Sequence, residues 1–205
     1  MIDFEYAVKK ALEMHFVGIE IKGCGFHFAQ CLERKIQELK LQHLVRNEQY
    51  VEDWFRMHIG MCMVPHQNAE KIYKNFTTYF KPPVPAGYEF NDYFMKNWIK
   101  SKQFPPLMWT HFWTGLPRTN NHTEGYNNRL NRRVGCSKNI YHIIEVLIQE
   151  QSNVELDKMQ GDVFKRRKIY DENVAIIQKL RVDYLMVNIH EFAYLKSVGY
   201  RLKGN

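Results

Sequence analysis

The residues best suited to metal and phosphate chemistry lie in the stretch RTNNHTEGYNNRLNRR, residues 118–133. If Asn121 caps a helix, Glu124 and Asn128 follow at a spacing that places them on one face. Five basic residues and one acid occupy positions 118–138. A carboxylate in such a positive field stays ionised and can help to hold a divalent cation beside a phosphate group. Glu124 is therefore a candidate metal ligand.

The same spacing also has a purely structural interpretation. With Asn121 as the helix cap, Glu124 stands at the third helical position, where its carboxylate accepts a backbone N–H in a capping box. His122 between them fits a surface residue in the loop that starts the helix. The sequence leaves the catalytic and the capping interpretations of Glu124 open.

The basic residues are concentrated in the second half of the chain. The net charge is +7; residues 118–205 carry 15 Lys and Arg against 10 Asp and Glu, and residues 1–117 carry 14 against 12. Such an excess fits an anionic partner, of which DNA or RNA is the commonest, and it equally fits a solvated face. The side chains expected to contact DNA are Arg118, Asn121, Asn128, Arg129, Arg132 and Arg133.

Asp3 is a second candidate acid. It directly precedes a predicted helix and could stand at the end of a strand, although an Asp in this place also serves as a helix cap. Cys24 and His27 form a CxxH pair, which is a weak zinc signal because no second pair follows at zinc-finger spacing.

A third group, His58, Cys62 and His66, repeats every four residues. This spacing could place three metal ligands on one helix face. Chance is the simpler explanation, because the helix in question ends at Pro65 and the three residues are not all helical.

The apolar pattern predicts a mostly α-helical chain. The first part reads as a helix at 5–15, a short strand at 17–22, a tight turn at Gly23 and Gly25, and a helix at 26–41 with Phe28, Leu32, Ile36 and Leu39 inward. Residues 42–117 hold all seven prolines and predict short helices near 45–62, 67–79 and 89–101. Residues 118–205 predict three helices, near 121–133, 139–160 and 164–195. We therefore expect three segments: 1–41, 42–117 as a helical insertion, and 118–205.

The remaining composition narrows the class of protein. Four irregularly spaced cysteines do not resemble a disulfide framework, so we expect free thiols in a reducing compartment. No apolar run approaches the ~20 residues that span a bilayer. The N-terminus carries no signal-peptide pattern and begins abruptly, as though cut from a longer chain.

Three ordered blocks resemble the catalytic domain of Mutator-like element (MULE) transposases. Asp3-Phe4-Glu5 followed by Ala7 resembles the block of the family's second catalytic Asp. The segment from Gly23 to Phe28 resembles its CxxH block, and the segment from Arg118 to Arg133 resembles the block of its final catalytic Glu. The order and spacing of the blocks carry the resemblance, which covers nearly the whole chain.

The resemblance implies a truncated ribonuclease-H-like α/β core with about one short strand left, a helical insertion and C-terminal helices. It implies a DDE site in which three carboxylates hold two Mg²⁺ or Mn²⁺ ions for DNA strand transfer, with Asp3 and Glu124 as the second and third acids and as metal ligands. Cys24 and His27 would lie near that site. The first acid has no match in this chain, so we expect the polypeptide to be inactive alone.

The resemblance also implies a nuclear protein that binds DNA and no membrane, while association with a second copy of the chain is left open. The alternative hypothesis is a domesticated DNA-binding protein without catalysis. A blander one is a helical interaction protein in which Glu124 merely caps a helix. Four consecutive basic residues, Lys165 to Lys168, fit a nuclear-import signal or a solvated helix face.

Overall fold

Apolar side chains recur at helical spacing, and the described residues are mostly α-helical, as the sequence predicts. The computed structural model describes residues 1–82, 84–115, 121–136, 139–160 and 168–202, without the side chains of 121–124, 154, 157–160 and 168–171. The α-helices, in chain order, are α1 (Tyr6–His15), α2 (Gly25–Glu38), α3 (Gln42–Asn47), α4 (Gln49–Gly60), α5 (Ala69–Tyr79), α6 (Pro85–Phe94), α7 (Pro106–Trp109), α8 (Asn121–Val134), α9 (Ile140–Gln160), α10 (Lys168–Leu185) and α11 (Glu191–Leu202).

Tighter and wider turns join some of these helices. Met61–Met63 and His66–Asn68 are single 3₁₀ turns, and Met95–Ile99 continues α6 as a π-helical turn. Among the described residues, no helix combines the length and the apolar character needed to cross a membrane.

The chain divides into two compact units, Met1–Thr119 with Glu172–Asn205, and Asn120–Asp171. Core residues from 1–41 and from 42–117 lie in the same hydrophobic cluster, so no break in packing occurs at residue 42. The division of the sequence into 1–41, 42–117 and 118–205 stays a prediction.

Aromatic side chains fill the core of the first unit. Phe28 stacks on Trp109 with ring centroids 5.1 Å apart. Trp98 and Phe94 meet Phe28 edge-on, at 4.8 and 6.2 Å. Such pairs contribute beyond the area that they bury. The inward face predicted for α2 is confirmed, since Phe28, Leu32 and Ile36 are buried and Leu39 packs against the core.

The strand predicted at 17–22 is wrong, because these residues belong to no strand or helix. Val17 is fully exposed and Ile19 is 41% exposed, so their alternation does not bury an apolar face. The described residues instead contain one isolated parallel bridge, between Ile2 and Gly23. A lone segment cannot form a sheet without neighbours to pair its backbone. The predicted tight turn is also wrong, since Gly25 begins α2.

The helical spacing of Ile140, Ile143, Ile144 and Leu147 predicts an apolar stripe on α9, and most of this stripe is exposed. Ile140, Ile144 and Leu147 are 59%, 46% and 45% exposed, whereas Val146 between them is buried. A second stripe, predicted from the spacing of Ile176, Ile177, Leu180 and Tyr184 on α10, does face the core, with Ile177 buried and Leu180 and Tyr184 packed beside it. Helical spacing therefore predicted both helices, but it did not predict which of the two stripes is covered.

The single helix predicted at 164–195 is two helices, α10 and α11. Val187 adopts a left-handed φ of 59° directly after α10. The N–H of Asn188 donates to the carbonyl of Asp183 at 2.8 Å, and that of Val187 donates to Tyr184 at 3.2 Å. This is a Schellman ending, in which glycine usually occupies the left-handed position. Without that glycine, the sequence carried no signal for the break.

Helices α4 and α11 cross at two glycines. A Cβ on Gly60 would lie 2.2 Å from the carbonyl oxygen of Leu195, and a Cβ on Gly199 would lie 1.9 Å from that of Arg56. Both distances are far inside van der Waals contact, and both neighbours are backbone atoms that cannot rotate away. The two helix backbones approach this closely because each lacks a side chain at the crossing.

We expect Gly60→Ala and Gly199→Ala each to lower the free energy of unfolding by roughly 2–3 kcal/mol, because α4 and α11 must separate to admit a methyl group. Urea unfolding followed by circular dichroism measures this. The matched control is Gly125→Ala in α8, where a Cβ meets nothing within 4 Å. The control should change stability by at most about 1 kcal/mol, in the stabilising direction. Equal effects at the three positions would show that the crossing is not tight.

Candidate functional site

Asp3 and His27 meet at the start of α2. The N–H of Ile2 donates to the carbonyl of Lys22 at 2.9 Å, and the N–H of Cys24 donates to the carbonyl of Ile2 at 2.8 Å. This parallel bridge places Asp3 beside the first turn of α2, where Nδ1 of His27 lies 3.0 Å from Oδ1 of Asp3. This contact brings the segment that contains Asp3 together with the CxxH segment that contains His27.

The chain around this pair is held by packing on both sides. Gly23 donates its N–H to the carbonyl of Met108 at 2.8 Å. A Cβ on Gly23 would lie 2.5 Å from the ring of Phe4, so this ring packs directly on the glycine backbone. Phe4 in turn meets Trp98 edge-on, with centroids 4.9 Å apart. The aromatic core therefore anchors the backbone that carries Asp3 and Cys24.

The three residues differ in what they can do chemically. The side chain of Asp3 is 42% exposed and that of His27 is 21% exposed, so a solute can reach both. A carboxylate on Nδ1 fixes the orientation and the tautomer of an imidazole. Cys24 is fully buried, and its position just before α2 makes it a packing residue of the helix start.

Cys31 lies one helical turn beyond His27 on α2 and was not singled out in the sequence. Burial raises the pKa of its thiol, Arg34 lowers it, and Asp3 raises it again. Cys31 is therefore a neutral thiol near the Asp3–His27 pair. Its sequence signal is only the four-residue spacing from His27, which any helix supplies by chance.

Whether Asp3 and His27 suit a divalent metal depends on the donor atoms that they supply. Asp3 supplies one accessible carboxylate, which suits Mg²⁺ or Mn²⁺, and His27 supplies a nitrogen, which those ions favour less. Within the described residues, no three His, Cys, Asp or Glu side chains group as a metal site. Arg118 and the side chains of Asn121 and Glu124 lie outside the described residues. The pairing of Asp3 with Glu124 therefore stays a prediction.

Glu150, on α9, forms a second polar cluster with α8. Its Oε2 lies 2.8 Å from Nη2 of Arg129, its Oε1 accepts a hydrogen bond from Arg133, and the carboxylate is 2% exposed. The hydrogen bond from Arg133 holds the pKa of Glu150 below its usual value, burial opposes this shift, and the charge of Arg129 adds to the lowering.

The sequence did not single out Glu150, because an acid inside a long amphipathic helix is ordinarily a surface residue. Two of the arginines expected to contact phosphate thus already have a carboxylate partner. Of the other two, Arg132 is exposed, as is Asn128, and Arg118 lies outside the described residues. Helical spacing places Asn128 roughly 100° around α8 from Arg129 and roughly 140° from Arg133, with Arg132 between them. Asn128 and Arg132 therefore lie beside the face of α8 that carries the ion pairs, and not opposite it.

The His58, Cys62 and His66 group is not a metal site in this fold. His58 is fully buried, and its Nδ1 donates to the carbonyl of Trp54 at 2.9 Å. On the other side of the ring, Nε2 lies 3.1 Å from the side-chain amide of Asn91 and 3.3 Å from the hydroxyl of Tyr73. Burial lowers the pKa of His58 to about 3, although the hydrogen bonds to Trp54 and Asn91 oppose the shift. His58 is a neutral core residue whose ring nitrogens are both engaged.

Comparison of the chain with protein-family models, with curated proteins and with solved structures finds no match. The site is therefore interpreted from its own residues.

The buried His58 makes stability depend on pH. Its folded pKa is about 3 against 6.5 in an unfolded chain, so the unfolded state binds the extra proton between these values. The free energy of unfolding should fall as pH falls below 6.5, with this residue contributing about 1.4 kcal/mol per pH unit. Urea unfolding at pH 7 and pH 5 measures it.

His58→Gln should remove this part of the pH dependence, whereas the matched variant His66→Gln should keep it, because His66 is only half-buried. A wild-type protein and a His58→Gln variant that lose equal stability between the two pH values would contradict the assignment of His58 as a neutral buried residue.

Proposed function

We propose that this chain derives from the catalytic domain of a MULE-type DDE DNA transposase. The observation that carries the proposal is the contact between Asp3 and His27, 3.0 Å apart. The sequence assigns these residues to two separate blocks of the family, and a shared site requires the blocks to meet. If the short motifs resembled the family only by chance, we would not expect these two residues to be in contact.

A finer proposal concerns the fold. Ile2 and Gly23 pair in parallel, and α1 lies between them in the chain. Parallel segments need a crossover connection, which is usually a helix. This order is that of one β-α-β unit, and we propose that it is the edge of a ribonuclease-H-like core. Helices α3 to α7 would then be the insertion that precedes the final acid.

In the complete site, Asp3 and Glu124 would hold Mg²⁺ or Mn²⁺. The metals would supply activation of the attacking oxygen and stabilisation of the leaving oxygen. Asp3 would also orient the imidazole of His27 beside the metals. The exposed Arg132 and Asn128 of α8 would contact DNA phosphates, which positions DNA without reading its sequence.

These 205 residues match two of the three acids, so we expect weak metal binding and no strand transfer by this polypeptide. The proposed function implies a nuclear protein. Of the basic run from Lys165 to Lys168, which fits a nuclear-import signal, residues 165–167 lie outside the described residues.

One observation favours a second function, a domesticated DNA-binding protein without catalysis. Residues 118–205 carry five more Lys and Arg than Asp and Glu (15 against 10), whereas residues 1–117 carry two more (14 against 12). Phosphate contacts need this charge and do not need the acids. The transposase function therefore requires Glu124 and Asp3, whereas DNA binding without catalysis does not.

Metal binding separates the two functions. We expect Mn²⁺ to bind wild-type protein weakly and Glu124→Gln or Asp3→Asn to abolish the binding, as measured by isothermal titration calorimetry or by Mn²⁺ electron paramagnetic resonance. The matched control, Glu145→Gln, removes an exposed acid of α9 and should leave Mn²⁺ binding unchanged. Binding that survives both substitutions would overturn the proposed site, whereas robust metal-dependent strand transfer by this polypeptide alone would overturn the expectation that it is inactive.

DNA binding tests what the two functions share. We expect the affinity for a labelled duplex to fall steeply with salt, and replacement of Arg129, Arg132 and Arg133 by Ala to weaken binding and reduce the salt slope by about one per lost phosphate contact. Glu124→Gln should leave binding unaffected in the non-catalytic function. Affinity that ignores the three arginines would count against both.

A further inference from the structure

Glu150 contacts two of the arginines that the sequence assigns to DNA. Its carboxylate is 2% exposed, whereas the side chains of Arg129 and Arg133 are 51% and 35% exposed. One buried carboxylate thus binds two cations that both keep a solvent-facing part. Two positive charges and one negative charge leave this cluster with a net positive charge.

Each guanidinium group is fixed along one edge. Arg129 donates from Nη2 to Oε2 of Glu150 at 2.8 Å, and its guanidinium carbon lies 5.6 Å from the ring centroid of Tyr126. Arg133 donates from Nη1 to Glu150 and from Nη2 to Oε1 of Gln149, the latter at 3.0 Å. A guanidinium group has five N–H donors, so each arginine has more donors than these contacts use.

We infer that Glu150 is a positioning residue for DNA binding: it holds Arg129 and Arg133 on α8 so that their exposed N–H groups meet backbone phosphates without further ordering. The inference rests on the proposed DNA-binding function. A free arginine loses rotamer freedom when it binds phosphate, and a side chain already fixed by other contacts loses less. The fixed pair would therefore bind phosphate more tightly than two unconstrained arginines.

The opposite role for Glu150 is a shield, in which its charge competes with phosphate for the arginines. The two roles predict opposite signs for removal of the charge: a shield makes Glu150→Gln bind DNA more tightly, and a positioning residue makes it bind more weakly. The exposed fractions of the arginines favour positioning, since a shield would have to cover the donors that phosphate uses.

The test measures the dissociation constant for a fluorescently labelled DNA duplex by anisotropy at one fixed salt concentration. Glu150→Gln should bind about fivefold more weakly than the wild type, because two side chains must then be ordered on binding. The matched control is Glu145→Gln, which removes one negative charge from the same helix at an exposed position and should bind no more weakly than the wild type. Glu150→Gln that binds as tightly as Glu145→Gln, or more tightly, overturns the inference.

A second variant distinguishes the loss of positioning from a defect in folding. Glu150→Asp keeps the charge but shortens the reach to the arginines, so it should also weaken DNA binding, and helix content by circular dichroism shows that the protein remains folded. In the absence of DNA, both Glu150 variants should shift the side-chain Nε–H resonances of Arg129 and Arg133, whereas Glu145→Gln should not. A folded Glu150→Asp protein with wild-type affinity overturns the positioning role.

The controls also separate this inference from the function on which it rests. If Arg129→Ala and Arg133→Ala leave DNA affinity unchanged, the proposed binding surface is wrong and the role of Glu150 falls with it. If those variants weaken binding and the Glu150 variants do not, the positioning role alone is overturned.

Discussion

The first unit depends on the crossing of α4 and α11 at Gly60 and Gly199, where the two helix backbones are in direct contact. The crossing joins residues nearly 140 positions apart in the chain. On one side of it, Asp53 accepts hydrogen bonds from Lys196 at 2.6 Å and from Tyr200 at 2.9 Å. Backbone proximity makes those side-chain contacts geometrically available, and they fix the register of the two helices.

From this crossing, the packing continues to the candidate site. Tyr194 of α11 donates its hydroxyl hydrogen to the carbonyl of Met63 at 2.6 Å, which fixes the 3₁₀ turn that follows α4. The adjoining aromatic cluster holds Trp109 against Phe28 of α2. Because α2 is packed along its whole inward face, the first turn that carries His27 has a fixed position. The contact of His27 with Asp3 is thus the outer end of a continuous packed network.

In the second unit, buried ion pairs contribute to the packing of α8 against α9. Its long helix α9 leaves much of its apolar stripe exposed, and Glu150 is buried in ion pairs with two arginines of α8. A buried carboxylate is tolerated there because both of its oxygens are paired with cations, which offsets the cost of removing it from water. The polar contacts hold α8 against α9 and fix the side of α8 on which Arg129 and Arg133 lie.

The sequence by itself determined that the chain is mostly helical and which face of α2 points inward, because a 3.6-residue apolar period needs no knowledge of the partner. It also singled out Asp3, Cys24 and His27 as candidate site residues, because their side chains can bind a metal or carry a proton. Only the tertiary structure decided that 17–22 forms no strand and that α10 ends at Leu185. It also decided that His58 is a neutral core residue and that Glu150 holds two arginines. Each of these outcomes depends on which residues meet across the fold, and local spacing does not encode such contacts.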